Sequence, residues 1–421
     1  MVYILDKNNK PLMPTHRHGK VRRLLESGKA RIIKREPFTI QLLYDTTSHV
    51  QELTLGVDSG SKTIVLSVSS ENEEVYTSEV ALRTDIVKLL STRRENRRTR
   101  RNRLRYRKPR FNNRVGSKHK CWLAPSVENK IHTHLKVVDD VTSILPISEI
   151  VVETASFDIQ KIKNPNINGK EYQEGEQLGF WNVREYVLFR DGHVCQHCKG
   201  KSKDPVLNVH HIESRKTGGD SPGNLITLCE TCHNSYHAGK IELNLSRHKA
   251  YRDAAFMGIM RQTFFNRLKE KYTGIPVRNT YGYITKNTRI KARLPKAHAI
   301  DVLCIAGHPK AKLAEKTYTQ KKIRCHNRQI HKANILKGGR LKRNQAPYEV
   351  KGFRLFDKVS YEGQIGFITG RRSSGYFVLK TIDSQKISNS VKYTKLTLIE
   401  HRKTIITHGG ERAIPPTTYA A

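Results

Sequence analysis

The 421-residue chain is long enough for two to four domains, each with its own core. Its 77 Lys and Arg against 38 Asp and Glu leave a formal charge of +39, which attracts polyanions, nucleic acid first, and disfavours cationic partners. There is no run of about 18 apolar residues, and residues 1–10 lack the apolar stretch of a signal peptide, so the expectation is a soluble, intracellular protein without a membrane partner.

In chain order, short strands are expected at residues 2–5, 30–33 and 38–43, with a turn at 7–9, the stretch Pro11-Leu12-Met13-Pro14 and a helix over 19–27. Residues 53–69 cluster Leu, Val and Ile around Gly56-Val57-Asp58-Ser59-Gly60, the pattern of a buried strand, a hairpin turn and a second strand. The run RRENRRTRRNRLRYRKPR, residues 93–110, meets Pro only at 109 and holds a single acid, Glu95. A helix there would project Arg93, Arg94, Arg97, Arg98, Arg100, Arg101, Arg103, Arg105 and Arg107 on all sides. Such repulsion opposes folding unless a polyanion, RNA or DNA, neutralises it.

A helix over 127–145 and a buried strand over 147–157 carrying Glu153 come next, followed by a polar linker. Beyond the cysteine-framed segment, a helix is expected over 253–271, a strand-like stretch over 278–293 and a helix over 296–306 with His298 and Asp301 at i,i+3. Short strands with Gly turns suggest a small β-barrel over 351–399. Tyr281, Tyr283, Phe353, Tyr361 and Tyr376 lie among basic residues, where they serve either as core or as platforms for bases.

Of seven cysteines, Cys195/Cys198 and Cys229/Cys232 form two Cys-x-x-Cys pairs, which in a reducing compartment point to structural zinc (Zn²⁺) rather than disulfides. Cys121, Cys304 and Cys325 read as small buried or neutral residues. Between the pairs lie Val209-His210-His211-Ile212, Gly218-Gly219-Asp220 and Asn224-Leu225, and after them comes His233-x-x-x-His237. The i,i+4 spacing puts His233 and His237 on one helix face, and a strand-borne His210 would complete a site for a divalent cation. Strand alternation turns His211 the other way, as a candidate base.

This segment resembles the HNH (ββα-metal) nucleases. The resemblance implies that His211 deprotonates the attacking water and that His210 and His233 hold one catalytic cation, Mg²⁺, with His237 near it. It also implies that Asn224 orients the loop carrying His211.

The wider order also carries a resemblance. A strand with Gly-Val-Asp-Ser-Gly is followed by the Arg-rich helix, a strand with Val-Val-Glu-Thr-Ala, the HNH segment and His-Ala-Ile-Asp, and the whole resembles the IscB family of transposon-encoded, RNA-guided nucleases. The implied fold is α/β and multidomain. An RNase H-like (RuvC) fold is split in three segments and joined by an inserted ββα-metal HNH domain, an Arg-rich bridge helix and a small β-rich C-terminal domain. The implied boundaries are 1–52 for the N-terminal PLMP domain, 53–84, 117–162 and 246–318 for the RuvC segments, and 85–116 for the bridge helix. A linker at 163–178, HNH with its four-cysteine zinc site at 179–245 and a C-terminal guide-RNA and flanking-motif domain at 319–421 complete them.

By the same resemblance Asp58, Glu153 and Asp301 are ligands of two RuvC Mg²⁺ ions, with His298 a ligand or general base. The nine arginines grip RNA. The implied partners are a long structured guide RNA and double-stranded DNA bearing a short flanking motif, in a monomeric ribonucleoprotein of the prokaryotic cytoplasm. HNH would cut the guide-paired strand and RuvC the displaced one, each by metal-dependent phosphodiester hydrolysis. Two rival readings remain at this stage. A protein-only HNH endonuclease of homing or restriction type is opposed by the intact Asp58, Glu153, His298 and Asp301, and a nucleic-acid-binding protein without cleavage is opposed by His210, His211 and His233.

Overall fold

The computed structural model of the protein describes residues 1–86, 89–93, 95, 123, 125–154, 183–213, 222–243, 252–324, 332–333, 340–341 and 346–412. Two compact units divide the chain: Met1–Ser117, Leu123–Ser156 and Met260–Ala421 form the first, and Lys118–Trp122 and Phe157–Ile259 the second. The arginines of the expected bridge helix beyond Arg93, the linker, Gly218-Gly219-Asp220, Cys121 and Cys325 all lie outside the described residues.

The first unit begins with a four-stranded sheet of β1 (Val2–Leu5), β2 (Pro11–Thr15), β3 (Ala30–Lys34) and β4 (Thr39–Leu42), in the order β2-β1-β4-β3. Helix α1 (His18–Glu26) closes it through Val21, and Val2, Leu12, Ala30, Ile40 and Leu42 complete that core. The Pro-Leu-Met-Pro stretch is thus an edge strand, where a proline's missing N–H costs least.

The larger sheet has seven strands: β5 (Thr54–Ser59), β6 (Thr63–Ser69), β7 (Glu74–Ala81), β8 (Glu149–Thr154), β11 (Val277–Tyr281), β12 (Lys316–Lys322) and β22 (Ile405–Glu411), ordered β11-β8-β5-β6-β7-β12-β22. The β5–β6–β7 run is an antiparallel meander, and β8 and β11 add in parallel beside β5. Apart from Asp58, β5 is buried along its length, as a central strand covered on both faces must be. Helix α2 (Pro125–Thr142) precedes β8, and α5 (Arg252–Lys271) buries Met260, Phe264 and Leu268 at i,i+4 spacing. Helix α7 (His298–Ile305) lies against β5 and β6, with Val302 and Ile305 meeting Val65 and Val151. That close approach requires Gly56, because a Cβ there would stand 2.5 Å from the carbonyl oxygen of Val302.

Three expectations change. Residues 278–293 are not one strand-like stretch: β11 ends at Tyr281 and α6 (Gly282–Lys291) follows, since Thr285 and Arg289 are drawn inward at helical, i,i+4 spacing. The C-terminal region does not stand apart from position 319, because β12 and β22 pair with each other and β12 with β7, inside the seven-stranded sheet. Between them the two-residue pairs β13 (Lys332–Ala333) with β14 (Arg340–Leu341), and β15 (Glu349–Val350) with β16 (Phe353–Arg354), precede a second sheet. That sheet holds β17 (Lys358–Tyr361), β18 (Gln364–Arg371), β19 (Tyr376–Lys380), β20 (Lys386–Lys392) and β21 (Thr397–Glu400), in the order β20-β19-β18-β17-β21. No ladder joins β20 to β21 among the described residues, so the expected barrel is an open antiparallel sheet.

The second unit has a hairpin of β9 (Leu207–His211) and β10 (Leu225–Cys229), flanked by α3 (Val183–Arg190) and α4 (Glu230–His237). Among the described residues its core comprises Tyr186, Val187 and Leu225 on one side, and Leu228 with the cysteines on the other. It lies in sequence between β8 and β11, adjacent parallel strands of the large sheet. Among the described residues no helix is long and apolar enough to cross a membrane.

Candidate active sites and their metal centres

The sulfurs of Cys195, Cys198, Cys229 and Cys232 lie within 4.8 Å of one another. Hydrogen bonds from Ser202 bring the Cys198 thiol down to about 5, while burial and the neighbouring thiols raise Cys232. A cation among the four sulfurs is what would let all of them ionise together, so the donor set fits tetrahedral zinc. The cluster pins the start of α4, whose first turn is also held by Asp204: its Oδ2 accepts from the Thr231 amide and hydroxyl, both at 2.8 Å.

One strand and one helix then bring three imidazoles together. His210 is paired with Ile226 across the hairpin and is buried, and its ring centroid lies 5.3 Å from those of His233 and His237. Their nitrogens fall within 4.8 Å, as the i,i+4 reading anticipates. Burial first, and then the neighbouring histidines, lowers His210 to about 4, so at neutral pH it is the neutral imidazole a metal needs. Three nitrogen donors suit a borderline transition cation better than Mg²⁺, which prefers oxygen. A divalent cation therefore fits the site, without a demand for magnesium.

His211 is the next residue, opposite Leu225. Asn224, fully buried, fixes the backbone beyond it: Oδ1 accepts from the Glu213 amide at 2.9 Å, Nδ2 donates to the Glu213 carbonyl at 3.0 Å, and the Asn224 carbonyl accepts from the Ile212 amide at 2.9 Å. Sequence patterning did not single out Arg190 and Asp191, which brace the same hairpin. Arg190 donates to the carbonyls of Pro222 and Leu225, at 2.7 and 2.9 Å, and Asp191 accepts from the Thr227 amide at 2.9 Å.

In the first unit Asp58 and Glu153 are register partners on parallel β5 and β8. His298, at the first turn of α7, places Nδ1 3.6 Å from Asp58 Oδ2, and its ring is largely exposed. Asp301, one turn on, receives Arg289 Nε at 2.9 Å. Burial raises Asp58, Glu153 and Asp301 from their ordinary values. Charge adds to it, with Asp301 raising Asp58, and both Asp58 and Asp301 raising Glu153. Divalent cations would relieve that repulsion, so the oxygen donors fit hard ions. Their oxygens are not gathered as closely as the cysteine and histidine groups. Arginine partly compensates instead: Arg289 on Asp301, and Arg261 acting on Asp58 and Glu153. Thr285 donates to Glu153 Oε2 at 2.9 Å. Thr285 and Arg289 had no signal in the sequence, since reading residues 278–293 as strand hides the inward face of α6, and Arg261 had none because the pattern of α5 does not show which acids it faces.

Among the scattered groups, Cys304 is buried and free. Phe353 is core, Tyr361 packs against that core, and Tyr281, Tyr283 and Tyr376 are exposed.

Residues 2–175 match the family of RRXRR proteins and residues 195–239 that of HNH endonucleases. The second unit thus carries an HNH endonuclease domain, the module of a metal-dependent DNA hydrolase. An RRXRR region followed by an HNH domain agrees with the IscB resemblance read from the sequence. No curated protein matches it. Solved structures with some likeness include Streptococcus thermophilus Cas9 with the AGAA PAM (15% identity, TM-score 0.32), with the GGAA PAM (15%, 0.30) and with the AGGA PAM (14%, 0.31). Each alignment covers 50% of this chain and 30% of the Cas9 chain, and likeness at this level does not establish a common fold.

Proposed function

We propose that the protein is an RNA-guided DNA endonuclease with two separate hydrolytic sites. The observation that carries this reading is the grouping of His210, His233 and His237 beside His211 in an HNH domain, in a chain that also carries Asp58 and Glu153 on adjacent strands of another sheet, with His298 and Asp301 on the helix against it.

In the HNH site, His210, His233 and His237 would hold a divalent cation. When bound, it stabilises the charge developing on the scissile phosphate and the leaving oxygen. His211 takes the proton of the attacking water, and Asn224 keeps the loop after His211 in place through Glu213. The fold around β5, β8 and α7 is read as RuvC-like, with Asp58, Glu153 and Asp301 as ligands of two cations. His298 is the proton acceptor there, and Thr285 and Arg289 hold Glu153 and Asp301 in position. Guidance by RNA is supported by the charge of +39, by the Arg-rich run and by the IscB-like combination of regions. In this reading HNH cuts the guide-paired strand and the carboxylate site the displaced one.

The test is purification with any copurifying RNA, followed by divalent-cation-dependent cleavage of a plasmid matching that RNA's variable end. Absence of RNA, or cutting indifferent to it, overturns guidance. His211→Ala is expected to leave a nick in the displaced strand and Asp58→Ala a nick in the guide-paired strand. Loss of both cuts in either variant would refute two independent sites.

A further inference from the structure

Tyr281 and Tyr283 stack on each other at the surface, with ring planes 7° apart and centroids 6.0 Å apart. They are 37% and 58% exposed, and Ile284 beside them is 40% exposed. Large apolar side chains left in water next to a functional centre ask for a ligand. This pair is mounted directly on the carboxylate site. Thr280 is the register partner of Glu153, and Tyr281 that of Thr154. A Cβ on Gly282, between the two tyrosines, would stand 3.3 Å from Glu153 Oε1, and Thr285 one turn on donates to the same carboxylate. The platform is therefore tied to the Glu153 carboxylate by strand pairing and by Thr285.

We infer that Tyr281 and Tyr283 form a stacking platform for an unpaired base of single-stranded DNA next to the phosphate cleaved at the carboxylate site. This rests on the nuclease reading given above and deepens it by naming the side chains that would hold the displaced single strand at that site. Bases inside a duplex already have both faces covered, so only an unpaired base offers a face to a tyrosine. The two rings are already at stacking distance, about 4.5–7 Å between centroids, which leaves no room between them and puts the base on an outer face. The charge around them complements a nucleic-acid backbone: Lys286, Lys291, Arg293 and Lys296 are all exposed. The tyrosines are positioning residues, placing the phosphate without touching the proton transfer.

The experiment uses the full protein with its copurified RNA and a set of single-stranded DNA oligonucleotides in which one abasic site is walked along the sequence. Wild-type cleavage is expected to weaken at one or two positions next to the cut, by about 5- to 100-fold and mainly in KM. Tyr281→Ala/Tyr283→Ala is expected to show the same loss on intact DNA and no further loss at those positions, while Tyr283→Trp restores it. A flat abasic scan of the wild type overturns the platform whether or not the variant folds, and so do variant and abasic losses that multiply. Quenching of a 2-aminopurine base in the same oligonucleotide separates the two readings. Quenching that depends on the tyrosines, with no cleavage of any DNA, overturns the nuclease reading and retains the platform. Cleavage without quenching does the reverse.

Discussion

Asn224 shows how one buried amide serves chemistry it does not touch. Both ends of its side chain hydrogen-bond the backbone of Glu213, so Asn224→Ala removes two hydrogen bonds that hold this loop, a cost of about 0.5–1.5 kcal/mol each. The expected outcome is an HNH-strand cleavage rate lowered at least tenfold with zinc content unchanged, measured by strand-specific cleavage and metal analysis. His134 makes a different prediction. It is buried, its Nδ1 donates to the Lys130 carbonyl at 2.8 Å, it packs edge-on to Phe264, and burial lowers it from 6.5 to about 4. Its folded-state pKa lies below the unfolded one, so its stability contribution is full above about 6.5 and is lost as pH falls towards 4. Between those values the wild type should lose on the order of 3 kcal/mol that His134→Leu does not, by denaturant unfolding at a series of pH values.

At the scale of elements, the carboxylate site depends on how closely α7 approaches β5. Gly56→Ala would press a methyl against the Val302 carbonyl and the Ala306 amide, both backbone, so the helix rather than a side chain must shift. Overpacking of this kind costs about 1–3 kcal/mol. It should lower the midpoint of thermal unfolding and slow displaced-strand cutting, because His298 and Asp301 ride on that helix, while leaving the HNH cut unchanged. Helix α6 matters in the same way: its inward face delivers Thr285 to Glu153 and Arg289 to Asp301.

At the scale of the whole molecule, the two units differ in what stabilises them. The first has a seven-stranded sheet with extensive apolar burial, whereas the described core of the second is a few residues and the cysteine cluster. A strong chelator is expected to unfold the second unit alone, lowering the circular dichroism signal in part while the thermal transition of the first unit remains. Nucleic-acid binding should be dominated by the charge of +39, with affinity falling roughly 10³-fold or more between 50 and 200 mM salt if six or more phosphates are neutralised.

The cysteine and histidine groups were legible in the chain because their spacing is local: two Cys-x-x-Cys pairs, an i,i+4 pair of histidines and one strand are enough to bring the donors together. The excess of positive charge was equally plain, and so were β5, β6 and β8 from their apolar runs. What only tertiary structure decided involves partners distant in sequence. Asp58 meets Glu153 through strand register, and Arg261, Thr285 and Arg289 reach the acids only because α5 and α6 fold against the sheet. The return of β22 to the large sheet is of the same kind, since hydrogen bonding between backbones leaves no mark on side-chain pattern. Periodicity reports which face of an element is buried, and it is silent on what that face is buried against.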